Sequence, residues 1–213
     1  MTANTLRVLN LIDATDDIIL AIAGGLEELT LTGASQLVTG RTISACSSLR
    51  TFVASAWPHV STRAIAAIAG VRKLILARCP VTDAMLAPLA GSSSLIELDV
   101  SSMWGMQHRR QLVQCITDAG LARVLAGTRI RTLNVSGRDK LTGSFLGALA
   151  SLEDLDVRFC SMLAGAALLP LAGRLQRLEC QYSGVSAADV SLVAAAAVAA
   201  AAGAAGRPPV AAG

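Results

Sequence analysis

Apolar residues recur along this chain in a short phrase, L-x-x-L-x-L or a close variant, and the phrase returns eight times. It starts at Leu6, Leu26, Leu49, Val71, Leu95, Ile130, Leu152 and Leu175, with spacings of 20, 23, 22, 24, 35, 22 and 23 residues. Self-similarity at such a period is the signature of stacked repeats, in which each unit buries its apolar face against its neighbours. Alternation within the phrase predicts a short strand whose fourth and sixth places point into a core. Leu9, Leu31, Leu76, Leu98, Leu133, Leu155 and Leu178 are the expected buried residues. The weakest phrase is LRTFVA, where Phe52 and Ala54 take the two inward places.

The polar positions punctuate a second half of each unit. Thr15, Thr39, Ser61, Thr82, Thr117, Thr142 and Ser186 stand just before apolar runs. Their hydroxyls suit the first turn of a helix, where they accept from an unpaired N–H. Gly24, Gly70, Gly91, Gly127 and Gly173 close many of the same runs, where a left-handed residue ends a helix. Pro88 and Pro170 fall inside two of these segments, which are therefore expected to be short or partly 3₁₀. One unit reads strand, ascending turn, short helix, descending turn.

This pattern resembles the leucine-rich repeat family over about residues 6–193, with VRKLILARCPVTDAMLAPLAG, IRTLNVSGRDKLTGSFLGALA and LEDLDVRFCSMLAGAALLPLAG the best units. The cysteines in two of them make it similar to the cysteine-containing intracellular subtype. The resemblance implies an α/β solenoid, a curved right-handed stack of eight strand–helix repeats with a parallel sheet on its concave face. The expected solenoid covers residues 1–202 and carries an insertion, MWGMQHRRQLVQ, at 103–114; residues 203–213 are expected to be a disordered low-complexity tail. Three departures from the family stand out. The ninth place, Asn in many family members, holds Ala14, Ala34, Trp57, Cys79, Met103, Arg138, Cys160 and Ser183, so looser ascending loops are expected. Trp57 is too large to copy a cysteine and either fills a gap or lies on the rim. The frame starts at Leu6, which implies an uncapped first strand with an open edge.

Composition narrows the function classes. Hydrophobic residues make up 53% of the 213 but aromatics only 3%, so the core is built of small aliphatic layers. A net charge of +3 is too mild to imply nucleic acid, and the arginine row Arg7, Arg50, Arg72, Arg129, Arg131 and Arg174 lacks interleaved aromatics and is broken by Glu27 and Glu153. It reads as a solvated rim. Five cysteines without a C-x-x-C imply free thiols in a reducing, intracellular and cytoplasmic setting. The alanine-rich span 187–205 contains Asp189 and is too weakly apolar for a membrane helix. With His59 and His108 in different units and no nucleotide-binding or hydrolase motif, neither catalysis, a cofactor, a metal nor a small-molecule substrate is expected.

What remains is a face. Odd places of each strand look into the hollow. They are mild in the first four units, with Val8, Val53 and Ile75 able to seat an apolar segment. In the last four they include Glu97, Asp99, Asp154, Asp156, Arg158, Arg177 and Glu179, with Asp156 and Glu179 side by side. The insertion adds Trp104, Met106, Arg109 and Arg110, residue types enriched at binding hot spots. The expected function is a non-catalytic protein-interaction or scaffold module that binds a cationic partner segment through this face and loop. The rival is a structural subunit of a larger protein or ribonucleoprotein assembly.

Overall fold

The computed structural model describes residues 6–12, 15–32, 38–102 and 116–205. Each apolar phrase forms a strand: β1 (Val8–Ile12), β2 (Glu28–Thr32), β3 (Thr51–Ala54), β4 (Lys73–Ile75), β5 (Glu97–Asp99), β6 (Thr132–Asn134), β7 (Asp154–Asp156) and β8 (Arg177–Glu179). They make one parallel sheet in chain order, β1 to β8. The register aligns equal places of successive units, Leu74 with Leu98, Leu98 with Leu133, and Leu155 with Leu178. Backbone pairing outruns the strands. Before them, Arg50 N–H donates to Glu27, Arg72 to Arg50, and Arg131 to Ile96, each at 2.8 Å. After them, the eighth-place N–H of Ala56, Arg78, Gly137 and Phe159 donates to the seventh-place carbonyl of the next unit.

The opposite side carries short helices: α1 (Asp16–Ile22), α2 (Gly40–Ile43), α3 (Thr62–Ala67), α4 (Asp83–Leu86), α5 (Asp118–Leu125) and α6 (Ala187–Ala205), with 3₁₀ turns between. Both proline segments are 3₁₀, at Ala87–Leu89 and Gly165–Leu171, because a proline ring cannot continue the α-helical hydrogen bonding. Ser61, Thr82 and Thr117 cap α3, α4 and α5. Ser186 and Asp189 cap α6 reciprocally, Ser186 N–H donating to Asp189 and Asp189 N–H to Ser186 Oγ. Thr142 precedes no α-helix; its unit has only the 3₁₀ turn Leu146–Ala148. Gly91, Gly127 and Gly173 take positive φ beyond their helical segments. Helix α6 runs to Ala205, so the start of the expected tail is helical.

Between sheet and helices lies one continuous core. Leu31, Leu76, Leu98, Leu133 and Leu155 are buried as expected, but Leu9 and Leu178 are only half-buried. Among the described residues β1 and β8 each pair with a single strand, so one flank of these leucines has no covering layer. The weak third phrase is compensated from within. Phe52 and Trp57 pack edge to face at 5.7 Å beside the small Ala54, and Trp57, 1% exposed, donates its indole N–H to the Val38 carbonyl at 2.9 Å. Trp57 therefore fills a gap and does not lie on the rim.

Three of the described ascending loops are tied without asparagine. Cys79 Sγ donates to the Ala54 carbonyl at 3.5 Å, Arg138 Nε to Val100 at 2.8 Å and Cys160 Sγ to Val135 at 3.3 Å. Each tie runs from the ninth place of one unit to the sixth place of the unit before. A second ladder on the helical side was not legible beforehand. Asp16 accepts from Thr39 N–H, Thr39 Oγ1 and Thr42; Asp83 accepts from Thr117; Asp118 accepts from Thr142 and Gly143. A first-turn carboxylate thus grips the cap of the following unit. Glycine is needed beneath one of them, since a Cβ on Gly120 would lie 2.0 Å from Asp83 Cγ.

Candidate functional site

The strand alternation places every odd side chain of β5 to β8 over one shallow hollow of about 240 Å³. Glu97, Asp99, Asp154, Asp156, Arg158, Arg177 and Glu179 all line it, joined by Thr132 and Asn134. Five carboxylates against two guanidiniums give the hollow an acidic character. Asp156 and Glu179 are register partners on adjacent strands, the unfavourable juxtaposition read from the sequence. Each has its own arginine. Arg158 forks onto Asp156, Nε to Oδ1 at 3.0 Å and Nη2 to Oδ2 at 2.6 Å, while Arg177 reaches Glu179 at 3.4 Å. The hydrogen bonds to Asp156 hold the Arg158 guanidinium more firmly protonated than usual. A bond from Gln181, ahead of Arg177, keeps the Glu179 carboxyl below the usual carboxylate range.

Two carboxylates are differently placed. Asp99 accepts from Ser101 N–H at 2.8 Å and from Asn134 Nδ2 at 2.9 Å; Asp154 accepts from Thr132 Oγ1 at 3.4 Å. Among the described residues neither has a cation within ion-pair distance. Glu97 does, through Lys73 at 3.0 Å, its register partner on β4 just outside the hollow, which the sequence reading passed over. The place-5 row runs Val53, Ile75, Asp99, Asn134, Asp156, Glu179 in register, so the apolar half of the sheet abuts the acidic half. Val53 and Ile75 are half-buried and Val8 is exposed.

Three further features bear on the site. Phe159 and Tyr182 occupy the same place of adjacent units and stack at 5.1 Å with 11° between their planes, beside the hollow on the exit side of β7 and β8. An aromatic column at one repeat place, R-F-C then Q-Y-S, was the signal in the sequence. Trp104, Met106, Arg109 and Arg110 lie outside the described residues. The arginine row follows the strand-entry edge, and its glutamates are partners of the arginines: Glu27 faces Arg7 at 2.9 Å and Arg50 at 3.9 Å, and Glu153 faces Arg131 at 3.2 Å.

The described thiols belong to the core: Cys46, Cys79 and Cys160 lie within it and Cys180 packs against it. Burial pushes Cys46, Cys79 and Cys160 up to about 11, and Cys180, half-buried, is raised by burial and then by Glu179. A thiol so protonated at neutral pH is a poor nucleophile and ligand. Among the described residues no three His, Cys, Asp or Glu side chains are grouped to hold a metal ion.

No protein-family model matches the chain, and no curated protein matches it. Solved structures do. A chain of the TLR13–ssRNA13 complex, a leucine-rich-repeat protein, superposes with a TM-score of 0.52 at 15% identity over 85% of this chain. The fold is a leucine-rich-repeat solenoid. This chain spans 30% of that TLR13 chain. The yeast Rad7–Elc1 complex also contains a similar chain, at a TM-score of 0.44 and 14% identity, covering 90% of this chain and 73% of that one. The eight-stranded open sheet and the likeness to the TLR13 chain agree on architecture. No described helix is long and apolar enough to cross a membrane.

Proposed function

We propose that this chain is a non-catalytic protein-interaction module that takes a partner segment into the C-terminal half of its concave face, with the 103–114 insertion contributing to the same site. The observation that carries this reading is convergence. Seven side chains from three of the strands and the turn after β7 line a single hollow, on a sheet whose rigidity spares a ligand the cost of ordering it. The balance of charge favours a cationic protein segment over nucleic acid, because phosphates would meet five carboxylates. The TLR13 chain's partner in its complex, a single-stranded RNA, is therefore not carried over. Protonated, buried thiols suit a reducing intracellular compartment.

The test begins with affinity capture of the native partner by the full chain, followed by two variants. Asp99→Lys with Asp156→Lys reverses the floor of the hollow, and deletion of 103–114 removes the insertion. Loss of affinity in both, with unchanged circular dichroism, supports the reading. Wild-type affinity in both rules out the hollow and the insertion.

A second reading, a subunit fixed within a larger assembly, is favoured by the half-buried Leu9, Leu178 and Cys180 at the two ends of the sheet. It predicts that the chain expressed alone is insoluble or aggregated, whereas a recognition module is monodisperse.

A further inference from the structure

The stacked pair beside the hollow takes the left-handed backbone that Ala56 and Arg78 also take at the eighth place of their units. Phe159 and Tyr182 sit at φ of 59° and 57°, in the left-handed region, at the place where the sixth unit has Gly137. Glycine meets this turn without strain, and the Tyr182 ring adds little to the core, since Tyr182 is 79% exposed while Phe159 is half-buried. The two rings stack face against face one residue beyond the seventh-place side chains Arg158 and Gln181, and the ledge they make offers a tyrosine face on the side of Tyr182 turned away from Phe159.

We propose that this ledge receives an arginine or lysine side chain of an extended cationic segment whose remainder crosses the hollow; the proposal rests on the reading of that hollow as the partner site. Charge complementarity decides between occupants. A cation is drawn both to the face of a tyrosine ring and to Asp99 and Asp154, the carboxylates without an ion-pair partner among the described residues. An acidic segment would be opposed by both features. A purely apolar segment would cover the rings well but strip water from two carboxylates that have no ion-pair partner among the described residues. The dimensions agree with a short stretch of chain. The ledge lies three residues past the Asp156–Glu179 row, at the turn and so within about 10 Å of it, and β5 to β8 span about 14 Å. About five or six extended residues therefore place one cation on Tyr182 and another near either Asp154 or Asp99.

The test uses the full chain and fluorescein-labelled decapeptides of alternating Arg–Ser, Glu–Ser and Val–Ser, read by fluorescence anisotropy at low ionic strength. Tyr182→Gly removes the ring at a backbone angle glycine adopts freely, and Tyr182→Phe keeps the ring face. The arginine peptide is expected to bind best. Tyr182→Gly should weaken it about three- to fivefold, Tyr182→Phe less than about twofold, and Asp99→Asn with Asp154→Asn about five- to tenfold. If the aspartate variant loses affinity while Tyr182→Gly does not, the ledge is overturned and the hollow stands. If the arginine peptide fails to bind, or either other peptide binds better, the cationic assignment is overturned. The hollow itself is then judged separately by charge reversal against the native partner.

Discussion

Replacing Leu155 by Ala probes the layered core where it is most regular. Leu155 is buried on β7 and is held in register between Leu133 and Leu178. Truncation removes three carbons from an apolar site, about 2.4 kcal/mol at about 0.8 per methylene. The neighbours are fixed by strand pairing on both sides and cannot close fully over the void, which adds up to about 2 kcal/mol. The expected loss is therefore about 4 kcal/mol. Leu178 makes the comparison sharp. It has the same place in β8 but is half-buried, with no strand beyond it among the described residues. Its truncation opens a gap that water already reaches, and about 1–2 kcal/mol is expected. Urea titrations of wild type and both variants measure the difference, read from midpoints at constant slope. A Leu155→Ala cost below about 0.5 kcal/mol, or one no larger than that of Leu178→Ala, refutes the layered-core reasoning.

Further outcomes follow from the ladders and the thiols. Gly120→Ala should cost about 1–3 kcal/mol, because its Cβ would displace the Asp83 carboxylate from Thr117; adding Asp83→Ala should recover part of that loss, and full additivity in denaturation would show that the clash is not the cause. The Asp16 carboxyl is pushed up by burial but held below its usual value by hydrogen bonds from Thr42 and Thr39, so the stabilisation it gives is present above pH of about 4 and is lost as pH falls through its folded-state value. Melting Asp16→Asn beside wild type should show a deficit at neutral pH that shrinks on acidification; a constant deficit contradicts the linkage. Thiol titration of the unfolded, unreduced chain should find all five cysteines free, and in the folded chain Cys180 should react before Cys46, Cys79 and Cys160, which burial holds near 11. Arg72→Glu with Arg129→Glu on the strand-entry edge should leave partner affinity within about twofold at moderate salt, where screening shortens its reach.

The parts of this molecule legible in its sequence are those set by local periodicity. An L-x-x-L-x-L phrase can bury its marked places only as a strand, so β1 to β8, their common register and the hollow-facing set follow from counting. Two of the 3₁₀ segments follow from Pro88 and Pro170 for the same local reason. Contacts between units were not legible. The grip of Asp83 on Thr117 depends on how far one repeat is offset from the next, and with the insertion the two residues are 34 positions apart. Substitution of the asparagine ties by Cys79, Cys160 and Arg138 likewise needed the carbonyl positions, because an N–H or S–H donor of suitable reach can serve there. The half-burial of Leu9 and Leu178 reflects position in the stack and has no counterpart in their own repeats. Within the site, Lys73 was overlooked because the early strands were read as mild, and the Phe159–Tyr182 ledge because its residues fall outside the strand alternation.

Hydrogen exchange on the full chain, with and without the captured native partner, tests the concave-face assignment most directly. The predicted result is slowed exchange at the strand exits and ascending turns of the last four units, around Asp99–Ser102, Asn134–Gly137, Asp156–Phe159 and Glu179–Tyr182, with α1 to α4 unchanged. Protection confined to the helical side or to the arginine edge, with these turns exchanging as in the free chain, would contradict it.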